Sequence, residues 1–398
     1  MKEKFLRELA DIQTGPFGSQ LHKEDYVADG TPIVTVEHLG NKMFSEQNLP
    51  RVSNTDKNRL KKYVLKQGDI VFSRVGSVDR CSYVDQKHDG WMFSGRCLRV
   101  RPTSEIDSEY LYYYFCLEET KQFVRNIAVG ATMPSINTKL LGEVVVTFPE
   151  LEQQKRISGI LSAIDSKIEV NQKINDNLEQ QAAALFKSWF VDFSLFGGTV
   201  PENWEDTTLE NITTLITRGI APKYSNDSDQ TVINQKCIRN HTIDLSLARS
   251  HTPKAINEKW LQFGDLLINS TGDGTLGRVA QVWFTPKSLT VDSHVTIVRP
   301  AREELIFYIG LWGILHEKEI ESLHTGSTGQ TELPRDRVKM LKLLLPDNIS
   351  LSRFNSIIAP MASTIILNQE ENQKLASLRD TLLSKLMSGE IDVSSIQL

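Results

Sequence analysis

The chain is written twice, and this repeat constrains the fold more than any single motif does. VLKQGDIVFSRVGSVDRCSYV at 64–84 aligns with WLQFGDLLINSTGDGTLGRVAQV at 260–282, so that Gly68-Asp69 meets Gly264-Asp265 at an offset of 196 residues. Arg101-Pro102 meets Arg299-Pro300 at 198, Gly130 meets Gly326 at 196, and Asn171-Gln172 meets Asn368-Gln369 at 197. Four anchors at nearly constant spacing, each set in a similar apolar pattern, make each half of the 398 residues one structural unit. The length points the same way, since it exceeds what one ordinary core organises.

Each half has two parts. In the first part, TPIVTVEHL, GDIVFSRV, CLRVRP and GEVVVTFP, and then GDLLIN, RVAQVWF and HVTIVRP, are β-branched or apolar runs bounded by Gly, Pro and Asp, which predicts strands. SEYLYYYFCLEETKQFVRNIA and EELIFYIGLWGILHEKEIESL carry apolar residues at helical spacing and each predict one helix. In the second part, Ile157, Leu161, Ile164, Ile168, Asn171, Asn175, Leu178, Ala182, Leu185 and Trp189 are separated by steps alternating between four and three, the seam of a coiled coil. Adding 197 gives Phe354, Ile358, Met361, Ile365, Asn368, Asn372, Leu375, Arg379, Leu382 and Leu386; nine fit, and at Arg379 the neighbouring Leu378 is expected to take the seam. Each stripe must be buried, and its natural partner is the other helix. Antiparallel pairing puts the globular parts at opposite ends of a rod, roughly 50 Å long for a 33-residue seam. Polar residues at the same two seam levels of both helices are expected to fix register.

The expected architecture is two mixed α/β (α+β) globular domains in tandem, separated by two long helices that pair as an antiparallel coiled coil. The first domain takes 1–150 and the first helix 151–190. A linker containing Gly197-Gly198 and Pro201 takes 191–207, the second domain 208–349, the second helix 350–388 and a tail 389–398.

Composition removes several function classes. Residues 1–150 carry 20 Lys+Arg against 20 Asp+Glu, residues 191–349 carry 16 against 20, and the whole chain is at −5, so bulk positive charge does not coat nucleic acid. Any grip on DNA uses placed residues or a more basic partner. Four single cysteines read as reduced thiols, and with no run of eighteen uncharged apolar residues the expectation is a cytoplasmic protein without a membrane.

Gly272, Gly274 and Gly277 have the spacing of a dinucleotide fingerprint, which needs a helix opening at the third glycine. The residues after Gly277 are instead the alternating RVAQVWFTP, and the first half has Asp79 where Gly277 stands, so the segment predicts a strand-loop-strand hairpin. No phosphate loop, HExxH or Cys/His cluster appears, so no catalytic residue, metal or cofactor is assigned to this chain. A cofactor enzyme using those glycines remains the third reading. A coiled-coil scaffold binding proteins through its globular ends is the second.

The first reading is DNA recognition. Two similar domains on a spacer suit two short sequences at fixed separation, and base edges in the major groove are matched by Arg, Lys, Asn, Gln and Ser on loops. In the first domain such loops hold His38, Asn41, Lys42, Arg74, Ser77, Arg80, Asn137 and Lys139; in the second they hold Gln235, Lys236, Arg239, Asn240, His241, Asn269, Arg278 and Gln330.

GPFGSQLHKEDY, QGDIVFSRVGSV, FGDLLINSTGDGTLGRV, VPENWEDTTLENI and ELEQQKRI, in this order and with the repeat, resemble the specificity subunit of type I restriction-modification systems over the whole length. The resemblance implies that each globular part is a target recognition domain reading one half of a bipartite double-stranded DNA site, with the spacer set by the helices. It also implies a non-catalytic subunit on which two modification (methyltransferase) subunits using S-adenosylmethionine and two ATP- and Mg-dependent restriction subunits dock.

Overall fold

A computed structural model describes the chain except residues 19, 41, 273, 327–330 and 395–398. The chain forms two compact units, Met1–Val170 with Glu371–Leu398, and Asn171–Glu370. Both long helices, Leu151–Phe190 and Asn348–Ser388, contribute to each unit.

The two units share one topology. In the first, a four-stranded antiparallel sheet runs Ala10–Thr14, Cys97–Pro102, Ile70–Ser73, Cys81–Tyr83. In the second, Thr213–Arg218, Val295–Pro300, Leu266–Asn269 and Val279–Gln281 repeat that order. A parallel pair flanks each sheet: Thr31–Val34 with Met92–Phe93 in one, Thr231–Ile233 with Leu289–Val291 in the other. An antiparallel pair, Lys2–Phe5 with Val145–Phe148 and then Glu205–Thr208 with Lys342–Leu345, brings the two ends of each globular part together. The strands Ile70–Ser73 and Leu266–Asn269 are buried at every position, which explains the unbroken apolar run of their first three residues.

The Gly-Asp and Arg-Pro anchors of the repeat bond to each other. Asp69 accepts two bonds from Arg101, both 2.7 Å, and Asp265 accepts two from Arg299, both 2.8 Å. The second carboxylate oxygen also accepts a backbone N–H, from Lys66 and from Gln262, each at 2.8 Å. Each arginine donates further to a carbonyl, Val64 at 3.1 Å and Trp260 at 2.7 Å. Both aspartates are 1% exposed. A carboxylate withdrawn this far from water is tolerable only with a bidentate partner, so the pair recurs as one clasp that locks the hairpin corner to the central strand.

The segments predicted as single helices are broken in two. Ser108–Cys116 and Glu118–Ile127 are separated by Leu117 at ψ 134°, and Ile306–Leu315 and Glu317–Ser322 by His316. In each pair the first helix is buried nearly all round, whereas the second buries one narrow stripe, Thr120 and Val124 or Ile320. One straight axis does not serve both demands. The structured part of the second domain also begins before 208. Trp204 is buried, donates to Asp347 at 2.8 Å and packs on Phe190 and Phe196, and strand Glu205–Thr208 follows at once.

The helices pair antiparallel within each unit. In the first, Ile157 and Leu161 share a core with Leu383 and Leu386, flanked by Leu382, and Lys167 pairs with Glu371 at 3.2 Å. In the second, Ala182 and Trp189 share a core with Phe354 and Ile358, flanked by Leu185 and Met361, with Ile365 also buried. Ile164, Ile168, Leu178 and Leu375 are half-buried seam positions. Asn368 donates to Asn175 at 2.8 Å, a polar pair at matched levels, which is the arrangement that ties register to one alignment. The expectation for Leu378 is corrected: it is 48% exposed, and Arg379 itself occupies the seam, donating to Asp165 at 2.9 Å.

Candidate nucleic-acid interface

The recognition loops grow from the ends of the buried hairpin strands. In the first unit the loop from Arg74 to Arg80 is stitched to its neighbours through backbone bonds, from Arg74 N to Arg96 O at 2.8 Å, from Gly76 N to Pro134 O at 2.8 Å and from Ile136 N to Arg74 O at 3.0 Å. Asp79, at its turn, pairs with Arg125 at 2.6 Å. The guanidinium of Arg80 lies over Gly40, whose φ of 150° favours glycine, so the segment around Gly40 runs beside the hairpin. The side chain of Arg74 donates to the Gly95 carbonyl at 3.1 Å and sits 5.2 Å from the Phe17 ring centre. Segments around 17, 40, 77, 96 and 134 thus meet at one place.

The second unit repeats the stitching. Ser270 N donates to His294 O and Leu333 N to Ser270 O, both at 2.8 Å, while Arg218 pairs with Glu332 at 2.7 Å and donates to the Leu333 carbonyl at 3.0 Å. Asn269 ties two loops, donating from Nδ2 to the Gln235 carbonyl at 3.0 Å and the Thr275 carbonyl at 3.1 Å. Arg278 closes the glycine loop on the Gly274 carbonyl at 2.7 Å. After Gly277 comes the strand Val279–Gln281, pairing antiparallel with Leu266–Ile268, so the glycines serve a hairpin. Gly277 has φ 82°, and a Cβ there would lie 2.6 Å from the backbone of Glu321, so packing requires the glycine.

The predicted readers separate into two groups. Ser77, Arg80, Asn137 and Lys139 are exposed in the first unit, and Lys236, Arg239 and Asn240 in the second, while Arg74, Gln235 and Arg278 are half-buried. Asn137 also caps the short helix Thr138–Gly142, accepting from Leu140 N at 2.9 Å. His38 faces inward: it is 2% exposed, with Nδ1 on Thr35 and Nε2 on the Gln47 carbonyl, and holds its loop in shape. Asn269 is fully buried in its loop-tying role. Lys42 also turns inward, to Glu109 and Ser162. Gln330 and Asn41 lie outside the described residues. Residue type alone missed Phe17, 51% exposed against Arg74, and Arg96, exposed on the turn that the hairpin loop grips. It also missed Arg249, which lies 3.6 Å over the ring of exposed Tyr224.

Two copies of one mixed α/β domain, each presenting a loop cluster with basic and amide side chains and each followed by a long helix of an antiparallel pair, define a tandem recognition protein. Residues 1–180 match the type I restriction modification DNA specificity domain. The MjaIX specificity subunit of Methanocaldococcus jannaschii is 27% identical across 75% of this chain and 72% of its own, and the HindI specificity subunit of Haemophilus influenzae is 23% identical across 83% and 88%. The S subunit of the M. genitalium type I system has the same fold, with a TM-score of 0.56 over 97% of this chain and 95% of that one at 17% identity. The chain is thus similar to specificity subunits of type I restriction-modification systems, through a family match over its first 180 residues and through relatives aligned along most of its length.

Among the described residues no group of three or more His, Cys, Asp and Glu is placed to hold a metal ion, all four cysteines are free thiols, and no helix is long and apolar enough to cross a membrane.

Proposed function

We propose that the chain is the sequence-reading subunit of a type I restriction-modification complex, in which each globular domain reads one half of a split double-stranded DNA target. The observation that carries this reading is the twice-built loop cluster, in which the same backbone bonds bring hairpin loop, neighbouring turn and downstream segment together in both units. Base edges are read by hydrogen-bonding side chains held by a rigid frame, and Arg80 and Arg239 are exposed on such frames. The subunit itself carries no chemistry. Two modification subunits supply S-adenosylmethionine-dependent methylation, and two restriction subunits supply ATP- and Mg-dependent cleavage, in the cytoplasm. A chain of net charge −5 is then helped onto DNA by its partners.

The test is single-molecule sequencing of genomic DNA from the source strain with and without the gene, scored for methylated bases. A bipartite motif that disappears on deletion is the expected result. An unchanged methylation pattern in a strain whose modification subunit is expressed would refute the reading.

A further inference from the structure

Lys42 and His241 occupy the same place in the two halves. Thr35 and Asn234 each begin a one-turn 3-10 helix, and the bond from Ser45 N to His38 O at 3.0 Å recurs from Asp244 N to Cys237 O at 2.8 Å, an offset of 199 that carries Lys42 onto His241. Both residues tie down the loop that bears them, but with different chemistry. Lys42, 13% exposed, donates from Nζ to Glu109 at 2.7 Å and to Ser162 Oγ, on the first long helix, at 2.8 Å. His241 places Nε2 3.3 Å from Glu317 Oε2, the two side chains being 41% and 31% exposed.

The tie acts on a tight turn. Strands Ile238–Arg239 and Thr242–Ile243 are joined by a tight turn in which Asn240 has φ 50° and His241 φ 60°. Two successive left-handed residues suit glycine, and asparagine and histidine are among the other residues that adopt this conformation most often. Glu317 is itself fixed, since its Oε2 accepts Val279 N at 2.9 Å beside the hairpin loop. The turn carrying Arg239 and Asn240 is thereby referenced to the strand that leaves the loop of Arg278.

We propose that His241 is a positioning residue for the second half-site. In its protonated form it clamps the Arg239-Asn240 turn to Glu317, so the second half of the target is read more tightly in mildly acidic than in mildly alkaline buffer. The first half, whose loop is held by a lysine ammonium, lacks this dependence. This rests on the DNA-reading function proposed above. The hydrogen bond to Glu317 raises the imidazole above its ordinary value, with burial opposing and Glu317 and Glu179 adding attraction. The charged groups facing the pair are Glu179 of the first long helix, with Asp176 beside it, and Arg278, which acts on Glu317. A raised histidine holds its partner below the shifted value and releases it as pH rises through it.

The experiment uses the assembled complex of this subunit with its modification partner. The probes are duplexes carrying the methylated split motif, intact or with one half scrambled, titrated between about pH 6 and pH 8. The expected result is a two- to five-fold tightening on acidification, about what a solvent-exposed ion pair contributes. It should persist when the first half is scrambled and vanish when the second half is. His241→Lys should bind tightly across the range, as Lys42 predicts, and Glu317→Gln should remove the pH response while leaving the imidazole in place. An equal response on all duplexes, or an unaltered one in Glu317→Gln, overturns the proposal. No preference for either half-site over unrelated DNA would overturn the DNA reading itself, and this inference with it.

Discussion

The seam of the first unit contains a charge pair that the second unit replaces with alanines. Asp165 accepts from Arg379 at 2.9 Å and from the Tyr113 hydroxyl at 2.6 Å, and the two charged side chains are 13% and 31% exposed. The positions related to them by the repeat offset of 197, Ala362 and Ala182, are 1% and 0% exposed. Both solutions pack, so replacing the pair provides an internal comparison. Arg379→Ala leaves a largely desolvated carboxylate with one hydroxyl, at a cost of about 2–4 kcal/mol, between the value for exposed pairs and that for fully buried ones. Asp165→Ala costs less, about 1–2 kcal/mol, because Arg379 keeps Asp380 at 2.8 Å. The double change Asp165→Ala/Arg379→Ala recreates the alanine packing of the second unit and should lie within about 1 kcal/mol of the native protein, since removing a whole buried pair is often neutral. A coupling of at least about 2 kcal/mol should therefore appear in urea unfolding followed by far-ultraviolet circular dichroism. Additivity of the two single costs within about 0.5 kcal/mol would refute the claim that the pair acts as one element.

Asp265→Ala strands the Arg299 guanidinium, 12% exposed, and should cost about 3–5 kcal/mol of the second unit's stability by calorimetry. Arg80→Ala and Arg239→Ala should each weaken recognition of one half-site by about 1–3 kcal/mol and leave the other unaffected; equal loss on unrelated duplexes would assign them to phosphate. Asp347 caps the second long helix; burial opposes ionisation, but the Ser350 hydroxyl and amide, the Trp204 indole and Ile349 N hold its pKa down at about 2. Because its folded value is depressed, its stabilisation is complete above the ordinary carboxylate range and is lost as pH falls towards about 2. The urea midpoint should drop across that interval, and less so in Asp347→Asn.

The repeat and the paired helices were legible because they rest on periodicity, which survives substitution. Gly68-Asp69 and Arg101-Pro102 align separately with their counterparts, yet nothing linear says that Asp69 and Arg101 bond to each other, 32 residues apart. Heptad reasoning reads Arg379 as a defect and shifts the seam to Leu378, since Asp165 comes from the other helix and Tyr113 from the globular domain. The breaks at Leu117 and His316 carry no proline or glycine and arise from packing demands that change along the segment. Among the loop residues, polarity identified the loops but did not give the direction of each side chain. His38 and Lys42 have the composition of base readers and serve instead as internal ties, while Phe17 and Arg96 are exposed in segments outside the loops chosen by polarity.

The differences between the halves bear on function more directly than their likeness does. A protein reading one sequence twice would need the same loops in both copies. Here the frame is kept to the level of single backbone bonds, whereas the side chains on it diverge: Arg74 corresponds to Ser270, Gly40 to Arg239 and Lys42 to His241. Fixed bonds hold loop geometry, and variable tips then change which bases are matched without refolding the domain. The frame residues Asp69, Asp265, Arg101, Arg299 and Asn269 are therefore the positions where substitution should unfold a domain, and the exposed tips those where it should redirect the target.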